Sequence, residues 1–200
     1  MAADGRHPMV ASPQPSLVLN TFTGLIQTFT DFLIVSIHTI LHLRNLLPPS
    51  TFIITRKYNY AVPQQRHLGA CAWIIAVCSA IETQLFEGIV RRIIFVIYRD
   101  DVGMVERWMF DVDEFPVVPS DQASMIFSEL SVSLVDIEEQ LRATIQRMIA
   151  CKAELAPLPQ NCTYTVMVEL KKMADPPLRV SSSRLCMAII KESSANMKFF

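Results

Sequence analysis

One apolar stretch near the start of the chain, residues 17–47, constrains the fold more than any other feature. Two prolines close it, Pro48 and Pro49. Neither can donate the next helical hydrogen bond, so a helix cannot run through them. Within the stretch only Asp31 and Arg44 are charged. On a 3.6-residue period Asn20, Gln27, Asp31, His38, His42 and Asn45 fall on one narrow line, and the remaining circumference is mostly Leu, Ile, Val, Phe and Thr. A helix polar on one thin stripe must be covered on its other sides. A domain interior or a bilayer could cover it. A membrane span needs about 20 apolar residues, and the length is present. Yet Asn20, Gln27, Asp31 and His38 lie inside it, and an Asp at mid-span costs roughly 2.5–3.5 kcal/mol. The expectation is a buried central helix over residues 16–47, with the polar stripe as the side that the core leaves uncovered. A membrane-anchored chain is the competing reading.

The rest of the chain supplies an interior for this helix. Residues 51–63 read as a short extended piece ending at Pro63. Residues 67–87 read as a second helix, with Trp73, Val77, Ala80, Ile81 and Leu85 as its apolar stripe and Gly88 as its stop. The β-branched run 93–98 is apolar on both faces, as a central strand requires. Turn residues follow at 100–103. In the next segment Trp108, Phe110 and Val112 share one face, and Val105, Arg107, Met109 and Asp111 the other, with Glu106 out of step. The two runs predict a hairpin. A third helix is expected from a cap at Ser120 or Asp121, with Phe127, Leu130, Leu134, Ile137, Leu141, Ile145 and Met148 at spacings of three and four. Residues 162–170 alternate again, with Cys162, Tyr164, Val166, Val168 and Leu170 on one face. Beyond Pro177 a Ser-rich tail holds one apolar run, 185–190. Residues 1–15, rich in Pro, Ser and Ala, read as a disordered tail without the pattern of a secretory leader. The element order predicts an α+β domain, helices packed on an antiparallel sheet.

The residues offer little chemistry. Five glycines, at 5, 24, 69, 88 and 103, form no phosphate-cradling loop. His38 and His42 are one helical turn apart, but no third ligand is evident besides Asp31, so a metal is not expected. The five cysteines, Cys71, Cys78, Cys151, Cys162 and Cys186, have no C-x-x-C pair and read as reduced thiols. Lys and Arg total 18 against 19 Asp and Glu. That balance does not suit a domain that grips phosphate backbones, so direct nucleic-acid binding is not expected. Trp73 reads as core or groove-lining, and Arg142 as a partner of Glu138 and Glu139 on a solvated helix face. The expectation is an interaction module rather than an enzyme, with no cofactor.

Several pieces in order carry a resemblance. The first helix ends in H-T-I-L-H-L-R-N-L-L-P and leads into R-K-Y-N at residues 56–59 and then Pro63. I-I-F-V-I-Y, V-E-R-W-M-F-D-V, E-Q-L-R-A-T-I and N-C-T-Y-T-V-M-V-E-L follow. Together they resemble the HORMA domain, in the branch that serves as accessory subunit of translesion DNA polymerase zeta. The resemblance implies three helices on an antiparallel sheet, a core over residues 16–177 and a C-terminal safety-belt segment at 178–200. It implies a non-catalytic adaptor in the nucleus, and also the cytoplasm, that binds a proline-containing peptide of the polymerase's catalytic subunit. A deoxycytidyl transferase that scaffolds lesion bypass, and a second HORMA domain, are further implied partners; a membrane is not. Trp73 falls where the family has an aromatic residue on the partner peptide, and Arg142 where it has an arginine on its pairing face. A spindle-checkpoint or meiotic HORMA adaptor is the alternative. The tail departs from the family: no Trp follows Trp108, so the belt is atypical or shortened.

Overall fold

The computed structural model describes residues 21–117 and 134–171. The expected tail at 1–15, the belt at 178–200, the cap at Ser120 or Asp121, and Asn20, Phe127 and Leu130 lie outside the described residues. Helix α1 (Phe22–Leu43) is the central element, but shorter than its apolar run suggests. Thr21 is extended, and its Oγ1 accepts the Gly24 N–H at 3.0 Å, so the helix starts there and not at residue 16. At the other end Asn45 turns left-handed (φ 52°). Its N–H reaches the His42 carbonyl at 3.2 Å, and the Leu46 N–H reaches that of Leu41 at 3.1 Å. Asn tolerates this conformation, so the helix closes before the prolines can end it.

The extended piece is a hairpin rather than a single strand. β1 (Phe52–Lys57) and β2 (Tyr60–Gln65) pair antiparallel through a two-residue turn, Tyr58 and Asn59, both at positive φ. Only Asn59 is a usual turn residue, and the sequence signal was correspondingly weak. The hairpin lies against the polar stripe of α1. The Gln65 N–H donates to Nδ1 of buried His38 at 3.3 Å. The rings of Phe52 and His42 meet edge-on at 5.1 Å, and Lys57 pairs with Asp31 at 2.8 Å. The expectation of an uncovered stripe is therefore corrected: its polar atoms dock the hairpin, and only Gln27 and Asp31 within α1 remain exposed.

This docking makes stability depend on pH. His38 must be neutral to accept at Nδ1, and burial lowers its pKa from the usual value. An unfolded histidine takes up its proton near pH 6.5, whereas the folded one resists until lower pH. His38 stability is therefore complete above about pH 6.5 and is lost as pH falls, by at most about 1.4 kcal/mol per pH unit. Thermal melts between neutral and mildly acid pH are expected to show a falling Tm that His38→Gln makes shallower. An equal slope in the variant would remove His38 as the cause.

α2 (Leu68–Phe86) ends as expected at Gly88, which adopts φ +69°. A Cβ there would also stand 2.8 Å from Val117 Cγ1. Gly88→Ala is expected to cost more than about 1 kcal/mol, since both backbone and neighbour resist it. A Tm within a degree of the parent's would contradict that.

β3 (Val90–Arg99), β4 (Gly103–Asp111) and β5 (Thr163–Leu170) form an antiparallel sheet in the order β4-β3-β5. Arg92 crosses to Asp111 on β4 and Glu169 on β5, at 3.0 and 3.2 Å, tying the three strands together. The core joins Phe22, Phe32, Ile37 and Ile40 of α1 to Ile74 and Ile81 of α2 and to Ile93, Phe95 and Phe110 of the sheet. α3 (Leu134–Ala150) closes the other side of α1, burying Ile145 and Met148. The long apolar surface of α1 is thus covered by protein. α2, three residues shorter, is just as apolar, but much of it is exposed.

Candidate functional site

Two surfaces of the described residues are candidates for holding a partner. The first is the outer edge of β5, which has no partner strand among the described residues. Such an edge presents a row of backbone donors and acceptors to any incoming extended chain. The second is the exposed face of α2. Leu68 is 85% exposed and Ile75 is 59% exposed, and Ala72 and Ala76 beside them on the helix are also exposed. Glu82 is the only charged residue in this helix.

Trp73 stands where these two surfaces meet. Its half-buried ring meets Tyr164 of β5 edge-on, with centroids 5.2 Å apart. Tyr164 in turn stacks on Phe95 of β3 at 5.6 Å and 17°. The Tyr164 hydroxyl is a donor at neutral pH, and burial raises its pKa further. A helix residue, an edge-strand residue and a central-strand residue thus make one aromatic step beside the open edge. Flat rings with a donor at the rim suit proline-containing segments, which carry few N–H groups and little conformational entropy to lose. Tyr164 was read from sequence only as one apolar position of a strand. Its parity with Val166 and Val168 gave no sign that a helix would place an indole on it.

Arg142 is apart from this step. It lies on the solvated side of α3 and pairs with Glu139 at 3.0 Å. α2 and α3 flank α1 without extensive packing on each other, so the fold does not bring Trp73 and Arg142 together.

A third cluster was not evident in sequence. Glu106, the residue out of step in β4, faces inward beside Trp108. A register shift opposite Ile97 and Tyr98 leaves Val105 unpaired just before it, and from Glu106 onward plain alternation puts Glu106 and Trp108 on one face. Glu106 accepts the Trp108 Nε1–H at 2.7 Å and pairs with Arg44 at 2.9 Å. Arg44 also donates to the Ala156 carbonyl at 2.6 Å. The cluster joins the end of α1, strand β4 and the loop after α3.

The nucleophile and metal readings find no geometry. Burial pushes the Cys78 thiol up to about 12, which keeps it protonated. His38 spends Nδ1 on the hairpin, and among the described residues no three His, Cys, Asp or Glu side chains group as metal ligands.

Comparison with known proteins matches residues 26–178 to the HORMA domain model. The chain is 33% identical over 146 residues to a Schizosaccharomyces pombe protein named DNA polymerase zeta processivity subunit, covering 73% of this chain and 68% of that one. It is 28% identical over 144 residues to a Bos taurus protein named mitotic spindle assembly checkpoint protein MAD2B, covering 72% and 64%. The chain thus spans about two thirds of the length of these relatives. Among solved structures, a chain of the mitotic checkpoint complex superposes with a TM-score of 0.64 at 20% identity, over 80% of this chain and 82% of that one.

Proposed function

The chain belongs to the HORMA domain family, and from that premise we propose that it is the non-catalytic subunit of a translesion DNA polymerase zeta. The relative named as the processivity subunit of that polymerase supports this branch of the family. The observation that carries the reading is the Trp73–Tyr164 step at β5, an edge strand of its sheet among the described residues. An extended, proline-containing segment of the catalytic subunit adds along β5, and its prolines pack on Trp73 and Tyr164. Main-chain bonds to the edge supply affinity, and the aromatic step supplies selectivity. Residues 178–200, outside the described residues, serve as an atypical or shortened belt for that segment. Arg142 serves the face through which a second HORMA domain pairs, and the deoxycytidyl transferase scaffold is a further partner. The protein acts as an adaptor in the nucleus and not as an enzyme. The relative named as a checkpoint protein keeps a spindle-checkpoint or meiotic adaptor as the second reading.

The test is capture of the full chain by immobilised peptides. One peptide is the proline-containing segment of the polymerase catalytic subunit, and the others are segments from checkpoint and meiotic partners. Retention on the polymerase peptide, resisting a wash with excess free peptide, is expected. Retention only on a checkpoint or meiotic peptide selects the second reading, and retention on none overturns both.

A further inference from the structure

The β1–β2 hairpin is used by α1 on one side only. Its outward side has three features that the peptide site does not explain. The first is an open edge. In a two-residue hairpin the pair next to the turn, Lys57 and Tyr60, exchanges hydrogen bonds, and the bonding alternates from there. Pro63 opposite Ile54 fits this alternation, because its missing N–H falls at a position that does not bond across the pair. The Gln65 N–H fits it too, pointing away from β1 to His38. The main-chain groups of Ile54 and Arg56 therefore point away from β2, on an edge with no partner among the described residues.

The second feature is apolar exposure. Ile54 is 67% exposed and its neighbour Ile53 is also exposed, on a strand whose outer edge is open. The third is charge. From residue 32 to residue 81 the sequence contains no Asp or Glu, while Arg56, Lys57 and Arg66 stand on the hairpin. Asp31 reaches in from α1 and pairs with Lys57. Asp31 and Glu138 also bear on Tyr58 in the turn. Among the described residues the Arg56 guanidinium holds the side chain of Asn59, and that of Arg66 the Ser50 carbonyl, each through a single nitrogen. Both guanidinium groups keep donors for a carboxylate.

We propose that the β1–β2 hairpin is a docking edge for an acidic, extended segment of a partner protein. That segment pairs with the outward main chain of Ile54 and Arg56 and sets carboxylates on Arg56 and Arg66. The ordinary role of cations on an edge strand is to repel other strands. Here they flank a pair of exposed isoleucines, which would invite those strands. Cations beside an apolar edge select an acidic strand instead of repelling every strand. Arg66 follows β2 and bonds through its N–H to Thr51, so it stands at the far end of β1 from Arg56. The fitting segment has an apolar, β-branched residue over Ile54 and acids on either side, spaced about 13–17 Å apart along the strand. A single-stranded nucleic acid would use the same cations but leave the open strand edge unused. This proposal does not depend on the β5 site and concerns a different sheet.

The test uses the full chain at low salt and a fluorescein-labelled peptide, Thr-Glu-Thr-Val-Thr-Glu-Thr, read by anisotropy. The same peptide with Lys for Glu and a labelled oligo-dT strand are the other arms. Binding of the acidic peptide is expected to weaken about tenfold or more in Arg56→Glu/Arg66→Glu, with the Tm unchanged. In the parent protein, amide exchange at Ile54 and Arg56 is expected to slow when the acidic peptide is added, a readout that needs no variant. Equal binding of the basic peptide, binding of oligo-dT alone, or protection confined to β5 would each overturn the proposal.

Discussion

Glu106→Ala is expected to destabilise the domain by about 3–5 kcal/mol, the usual cost of removing one partner of a buried ion pair. The Arg44 and Glu106 side chains are only 6% and 15% exposed. Without the carboxylate, Arg44 keeps the Ala156 carbonyl among the described residues, and none of them partners its Nε even in the intact cluster. The Trp108 indole N–H loses its acceptor at the same time. The charge cannot be shed, because a guanidinium does not deprotonate near neutral pH. Equilibrium denaturation measures the loss, and Trp108 emission reports it locally. Glu106→Gln keeps one acceptor oxygen, for the indole or for Arg44 but not for both, and fills the same space, so it is expected to lose less than Glu106→Ala, about 1–3 kcal/mol. A loss under about 1 kcal/mol for Glu106→Ala would mean that water reaches Arg44 and the pair is not buried in solution.

The same cluster shows how far the sequence could be read. Glu106 was visible as an error in an otherwise regular strand, and the error is where a long-range partner enters. Alternation reports which face a residue occupies, but not that an arginine from the end of a distant helix will meet it. The second helix and the three strands of the main sheet were legible, because periodicity and Gly88 mark them locally. α1 was legible as the core element but not in its limits. Its apolar run continues through Asn45 to the prolines, and only the left-handed turn at Asn45 reveals the true end. The polar stripe was found and its meaning inverted. His38 and His42 looked like the uncovered side of a helix, because the hairpin that covers them depends on a turn whose first residue is Tyr58. Trp73 could be placed on a groove, but its partner Tyr164 lies more than ninety residues later, beyond the reach of any local pattern.

Trp73→Ala is expected to weaken binding of the proline-containing peptide by about 2 kcal/mol or more, roughly 30-fold, as truncation of a central aromatic anchor does. The indole is the element through which α2 meets the β5 edge, and no other aromatic residue of α2 contacts Tyr164 among the described residues. Its loss exposes the face of Tyr164 and removes the wall against which a peptide on β5 would be held. Stability should fall too, because part of the ring is buried, so binding must be measured well below the variant's Tm. Trp73→Phe separates the two effects. It keeps an apolar ring over Tyr164 and is expected to retain most of the affinity. Arg142→Ala supplies the contrasting arm. An exposed ion pair contributes about 0–1 kcal/mol to stability, and Arg142 lies on another helix. That variant is expected to bind peptide as the parent does and, through the pairing face proposed for Arg142, to weaken association with a second HORMA domain in sedimentation. If Trp73→Ala binds within threefold of the parent, the peptide does not run past α2, and the outer edge of β4, unpaired among the described residues, becomes the place to look.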